Sequence, residues 1–265
     1  MRRKVGRWLT RCAAVFIAAS LTSPTSFGSS LMGEAAASAD DREPTIETPR
    51  PAQWMPTTRM KCQRVKGLKG KMCDGPRRTP EPYGEDAFIA QDLGLGTLQT
   101  AHALLRSAPR PDWVEAVTGR RSSTMLWPVE SGSFGRGFGF TRKERKALQH
   151  DGIDIGAEPG QPVRSVNDGI VAYSDNQVNG YGNMIVVVHK DQSASFYCHH
   201  RANYVFAGQQ VKRGQVVGEV GTTGISRGPH LHFEWHVNGR PKDPMPRMVG
   251  KPKRNSPLAS ADYWL

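Results

Sequence analysis

The sequence predicts a mainly β protein, an antiparallel sheet or sandwich-like domain preceded by a small, partly helical N-terminal region. Three observations lead there. Short runs rich in β-branched and aromatic residues, GIVAYS, MIVVVHK, SASFYCH, QVVGEVG and LHFEWHV, follow one another from residue 126 onward, and such runs suit strands. Glycine turns separate them, in a chain of 265 residues with 28 glycines and 19 prolines, a composition that favours many turns over long helices. Helical spacing is found upstream, where Phe88, Ile89 and Leu93, then Leu98, Ala101, Leu104 and Leu105 recur at the right intervals.

The elements follow in chain order. Arg2, Arg3, Lys4, Arg7 and Arg11 precede the apolar stretch Cys12–Leu21, which is too short for a mature membrane span but suits a signal-peptide core. Residues 1–28 therefore read as a signal peptide cleaved after Gly28, with an uncleaved N-terminal anchor as the competing reading because of the basic flank and Trp8. Cys12 follows Arg11, where lipidation needs a small residue. The expected destination is the periplasm, the cell envelope or the exterior. Cleavage removes five cations from a formal charge of +12, and the mature chain stays basic. Anionic envelope polymers fit that charge, against the plain alternative of a solvated surface. No RNA-binding or helix-turn-helix signature points to nucleic acid.

Residues 29–58, rich in Ala, Ser, Thr and Pro and including EPTIETPRPAQ, read as a disordered linker. Residues 59–120 form a small N-terminal region. In its segment KCQRVKGLKGKMC, a disulfide between Cys62 and Cys73 would staple a loop of little apolar content; two free thiols or half of a metal site are the alternatives. The helical stretch that follows, interrupted at Gly94 and Gly96, either packs on the main domain or covers its cleft. His102 within it reads as a surface or packing residue. The main domain spans residues 125–245, and the tail, 246–265, has too few apolar residues for a core of its own.

Histidines concentrate in three segments of the main domain: HDGID (150–154), YCHH (197–200) and GPHLH (228–232). Along an extended His230–Val237, alternation puts Leu231, Phe233, Trp235 and Val237 on one face and His230, His232, Glu234 and His236 on the other. A half-buried strand explains the alternation but not three histidines; His236 reads as structural. HDGID needs a bend, because an extended strand would separate His150 from Asp154 by about 13 Å, whereas zinc ligands each lie within about 2.0–2.2 Å of the metal. Gly152 can supply it. In YCHH, alternation groups Tyr197 with His199 and Cys198 with His200, which separates Cys198 from the site. His189 and His200 read as packing residues.

These segments, together with WPVESGSFGRGFGF, GYGNMIVVVH, GQQVKRGQVVGEVGTTG and NGRPKDP in the same order, resemble the M23 family of zinc metallopeptidases, the lysostaphin and LytM-like peptidoglycan endopeptidases. The resemblance runs from about Trp127 to Pro244. It implies a LytM-type catalytic domain, zinc held by His150, Asp154 and His232, and His199 and His230 as the catalytic histidines. Such a ligand set leaves the metal an open position, as catalytic zinc requires. With no HExxH glutamate, the base is His199 or His230, and the other histidine stabilises the oxyanion or assists the leaving amine. His200 departs from the family, which usually carries leucine there. The implied activity is hydrolysis of peptide bonds in peptidoglycan stems or cross-bridges. The alternative is a non-catalytic activator of a cell-wall amidase, a role of family members that have lost ligands. GQQVKRGQVVGEVG also resembles biotinyl and lipoyl carrier turns, but TTGISRGPH offers no lysine to modify.

Overall fold

The structure, a computed structural model, describes residues 61–64, 71–74, 79–141 and 149–250. The expected signal peptide or anchor, the linker and the far part of the tail lie outside the described residues. A hairpin comes first, β1 (Lys61–Arg64) and β2 (Lys71–Asp74), then three helices, α1 (Gly84–Leu93), α2 (Leu98–Leu104) and α3 (Pro111–Ala116). The main domain opens with β3 (Met125–Leu126), β4 (Ser133–Phe134), β5 (Ile153–Gly156), β6 (Pro162–Arg164), β7 (Gly169–Asp175), β8 (Asn183–Val188) and β9 (Ser193–His200). It continues with β10 (Ala202–Asn203), β11 (Gln210–Val211), β12 (Val216–Glu219), β13 (Gly224–Ser226), β14 (His230–Val237), β15 (Arg240–Lys242) and β16 (Met248–Val249).

An antiparallel sheet in the order β11-β7-β8-β9-β14-β5-β4, with β15 paired to β14, forms the centre. Its central strands β7 and β8 carry apolar residues on both faces, because both faces of the sheet are covered there. Ile185, Val187, Tyr197, Leu231 and Phe233 point into one core shared with Val163 and Val217 of the small sheet β10-β12-β6. Met184, Val186, Val188 and Phe196 point into the opposite core, which the helices close with Ala90, Ala101, Leu104 and Trp113. Each fully buried large side chain there contributes roughly 1.5–3 kcal/mol. The fold is mainly β and layered, as the sequence predicts.

The helices pack on the sheet, the first of the two arrangements expected for them. Gly94 ends α1 in the left-handed conformation (φ +64°), its N–H reaching the carbonyls of Ala90 and Gln91. The N–H of Gly96 then bonds the carbonyl of Ala172 on β7 at 2.8 Å. Phe88, counted in the apolar pattern, instead faces solvent at 74% exposure; the ten-residue helix rotates it away from the sheet while Ala90 turns inward. In the hairpin, Cys62 lies directly opposite Cys73, and β2 pairs with β13. The packed body also runs past residue 245: Met248 is buried with Met125 and Trp127, and β16 lies parallel to β3. Among the described residues, no helix is long and apolar enough to cross a membrane.

Candidate metal centre

Register builds the site. β5 and β14 pair so that Asp154 stands directly opposite His232, and directly opposed residues project from the same face. His150 reaches them from the loop before β5. Its backbone N–H bonds the carbonyl of Phe140 at 3.1 Å, and its carbonyl accepts from Gly139 at 2.8 Å. Gly152 lies in the bend between His150 and Asp154, and space also demands glycine there. A Cβ would fall 2.2 Å from the carbonyl oxygen of Phe233 and 2.9 Å from Cγ of Glu234.

Three atoms converge. His150 Nε2 is 3.1 Å from Asp154 Oδ1 and 3.1 Å from His232 Nδ1, which is itself 3.0 Å from Asp154 Oδ1. The far nitrogen of each imidazole is occupied: His150 Nδ1–H donates to the Gly137 carbonyl at 2.8 Å, and His232 Nε2–H donates to Glu234 Oε1 at 2.8 Å. In the neutral rings, both inward nitrogens therefore carry lone pairs. Two imidazole lone pairs and a carboxylate so close together call for a cation between them. Tetrahedral zinc spaces its ligand atoms by about 3.3 Å, so the donor set and its spacing fit zinc. These three residues are the group that could hold a metal ion among the described residues.

The electrostatics follow from burial and contact. Burial alone would raise the Asp154 carboxyl, but when the inward nitrogens of His150 and His232 carry a proton instead of a lone pair, their hydrogen bonds hold it far below the usual carboxylate range. Arg136 adds a guanidinium 2.5 Å from Asp154 Oδ2. Burial pulls His232 down, yet hydrogen bonds to Asp154 and Glu234 outweigh it and push the group up to about 10.

His199 and His230 stand beside the cluster. Their rings lie 4.8 Å apart, and His199 is 5.8 Å from the His232 ring. His230 Nε2 is 3.6 Å from Asp154 Oδ1. Each donates Nδ1–H to a carbonyl at 2.8 Å, His199 to Thr223 and His230 to Gly228, which leaves Nε2 as the accepting nitrogen of the neutral ring. Burial lowers both, His199 well below its ordinary value with help from the neighbouring imidazoles. A cleft of about 250 Å³ over the cluster is lined by Arg136, Tyr181, His199, Ile225, His230 and Glu234 among others. That is many times the ~30 Å³ a water occupies, and it admits part of a peptide.

Strand parity misplaces Cys198. β9 does not run regularly through YCHH: Ile185 pairs with Tyr197 and Asn183 with His200, so the two intervening residues of β9 oppose one of β8. His199 adopts φ +65° in this bulge. Cys198 pairs with His232 and so lies on the metal side of β14, while His199 is turned there by the bulge rather than by alternation. Cys198 is nevertheless outside the converging group, and burial pushes its thiol well up. His236 also sits on that face, its Nε2–H donating to Glu234 at 2.7 Å.

Two residues of the site escape sequence reasoning. Glu234 carries a visible signal, its shared face with His232, but no chemistry until the far nitrogen of His232 is known to point at it. Arg136 carries none, since only the pairing of Gly135 and Arg136 with Asp154 through backbone hydrogen bonds of 2.8 Å brings it near.

Fold and cluster define a class: a layered antiparallel β domain with a single His/Asp/His metal-type centre in a cleft and two further histidines beside it. Residues 148–244 match the model of Peptidase family M23, and the chain belongs to that family through this domain. It is 43% identical over 94 residues to the lipoprotein NlpD/LppB homolog of Pseudomonas aeruginosa, a match covering 36% of this chain and 31% of that protein. Identity is 41% over 96 residues with DD-carboxypeptidase/endopeptidase Mpg of Neisseria meningitidis, covering 36% of this chain and 22% of that one. With murein hydrolase activator NlpD of Escherichia coli it is 37% over 123 residues, covering 46% and 31%. The chain thus spans less than a third of the length of each. Among solved structures, the catalytic domain of lysostaphin from Staphylococcus simulans is 32% identical, with 43% of this chain and 90% of that chain covered and a TM-score of 0.41.

Proposed function

We propose that this chain is an exported zinc-dependent endopeptidase that hydrolyses peptide bonds in peptidoglycan stems or cross-bridges. The observation that carries the reading is the five-residue arrangement: His150, Asp154 and His232 with three ligand atoms 3.0–3.1 Å apart, and His199 and His230 beside them. Zinc held there would supply Lewis acidity toward a carbonyl and toward water. The protein supplies the proton handling. His199 and His230, neutral and fixed by the carbonyls of Thr223 and Gly228, each present Nε2. One takes a proton from the water attacking the scissile carbonyl, and a protonated imidazole returns it to the departing amine. Arg136 and Tyr181 on the cleft wall are placed to contact the peptide.

The second reading, a non-catalytic activator of a cell-wall amidase, draws on the similarity to the murein hydrolase activator of Escherichia coli. The complete set of ligands and histidines favours the enzyme. Purified chain incubated with peptidoglycan and zinc should release new amines, with the cleaved bond read by mass spectrometry of defined muropeptides. If the zinc-loaded chain releases no amines yet stimulates a separate amidase, the activator reading replaces the enzyme.

A further inference from the structure

The carboxylate of Glu234 is almost wholly buried, at 2% exposure, and the chemistry assigned to the five site residues does not use it. Burying a charge is costly unless its hydrogen bonds are satisfied, and here two histidines of its own strand satisfy them. Oε1 accepts from His232 Nε2 at 2.8 Å and Oε2 accepts from His236 Nε2 at 2.7 Å, while the Tyr181 phenol, pushed up first by burial and then by the Glu234 charge, lies beside the same carboxylate. His236 is held in turn against the Phe196 ring, with centroids 4.4 Å apart. Room for the Glu234 stem exists because residue 152 is glycine, whose absent Cβ would lie 2.9 Å from Cγ.

We propose that Glu234 is the positioning residue of the metal centre. By accepting Nε2–H it fixes the tautomer and ring angle of His232, so that Nδ1 is the nitrogen turned toward His150 and Asp154; His236 and Tyr181 hold the carboxylate in place. The inference rests on the reading of that cluster as a zinc site. Partners of this kind orient ligand imidazoles and raise their basicity, and losing one typically weakens metal binding 10–100-fold.

The test compares full-length wild type, Glu234→Gln and His236→Asn by zinc competition against a chromophoric chelator, with circular dichroism and the visible absorption of cobalt-substituted protein alongside. Glu234→Gln, near-isosteric, should fold and bind zinc about 10–100-fold more weakly, with a shifted cobalt spectrum. His236→Asn should weaken zinc by a smaller factor. If Glu234→Gln folds and binds zinc within about twofold of wild type with an unchanged cobalt spectrum, the proposal is overturned. Should Glu234→Gln fail to fold, Tyr181→Phe and His236→Asn decide: weaker zinc in both supports the proposal, unchanged zinc in both refutes it. A wild type that takes up no zinc would instead bring down the zinc-site reading itself, which separates the two failures.

Discussion

β9 and β14 run side by side, each bringing histidines to the same site, and they do so by opposite means. β14 keeps strict alternation, so His230, His232, Glu234 and His236 share a face while Leu231, Phe233 and Trp235 enter the core. β9 breaks alternation at Cys198 and His199, and His199 reaches the cleft only through a bulge and a left-handed backbone. A non-glycine residue there costs of order 1–3 kcal/mol and persists only when its surroundings hold it. They do: the N–H of His199 bonds the Tyr181 carbonyl at 2.9 Å and its Nδ1–H the Thr223 carbonyl at 2.8 Å. On the proposed reading, the regular strand presents a metal ligand and the strained one a group for proton transfer.

The largest effects should separate the two strands by kind. On β14, His232→Ala is expected to abolish stoichiometric zinc binding and with it peptidoglycan hydrolysis. On β9, His199→Ala should keep its zinc within a few-fold and lose about 10²–10⁴ in kcat, the usual worth of general acid–base catalysis. Metal content after gel filtration and amine release from peptidoglycan measure both. A His199→Ala protein with full biological effect would move the balance to the activator reading.

A structural lesion at the bulge comes next. Gly182 has φ +67°, and a Cβ there would lie 2.4 Å from Thr223 Oγ1 and 2.5 Å from its carbonyl carbon. Thr223 Oγ1 accepts the N–H of Asn183 at 2.9 Å, and the Thr223 carbonyl holds His199. The obstruction includes backbone, which cannot swing away. Gly182→Ala should therefore cost about 3 kcal/mol or more in denaturant unfolding and lower kcat beyond what the lost stability explains. An unchanged kcat in the folded variant would show that His199 does not depend on this contact.

The same contrast says what was legible in the sequence. His150, Asp154 and His232 come together as a set only through the resemblance to the M23 family, since the spacing of HDGID alone is a weak signal, and the parity of β14 is correct because nothing interrupts HLHFEWHV. YCHH contains no glycine or proline to mark its bulge, so alternation carried through it puts Cys198 on the wrong side. The layered β architecture is visible in the repeated apolar runs. The exposure of Phe88 and the burial of Met248 were not legible for a different reason: whether an apolar side chain is buried depends on which face of a short helix meets the sheet, and on β3 lying alongside a distant tail segment. Neither pairing leaves a mark in local spacing.

His200, which ends β9, should give a smaller effect and one that depends on pH. Burial pushes its imidazole down to about 4, against the hydrogen bond to Asn203 at 2.9 Å. The unfolded chain titrates near 6.5, so between these values the unfolded state binds the extra proton. Stability from this group is intact above about 6.5 and falls as the pH drops toward about 4. Between about pH 7 and about pH 5, wild type should lose about 2 kcal/mol more than His200→Leu. Parallel stability curves for the two proteins would contradict a neutral, buried His200.

Cys198 offers the finest distinction between the strands. It pairs with His232 and lies within the electrostatic reach of Glu234 and Asp154, so proximity alone would make it a fourth metal ligand. Its side chain belongs instead to the apolar core with Phe196 and Met184, and a buried, protonated thiol is a poor ligand. Cys198→Ala should accordingly lower stability by about 1 kcal/mol, the scale of a small core deletion, while the zinc dissociation constant stays within about twofold of wild type. A tenfold loss of zinc affinity would place the sulfur at the metal and give β9 a ligand as well as a base. Retained affinity leaves the division intact, with β14 and β5 binding the cation and the bulge of β9 delivering the proton-transfer group beside it.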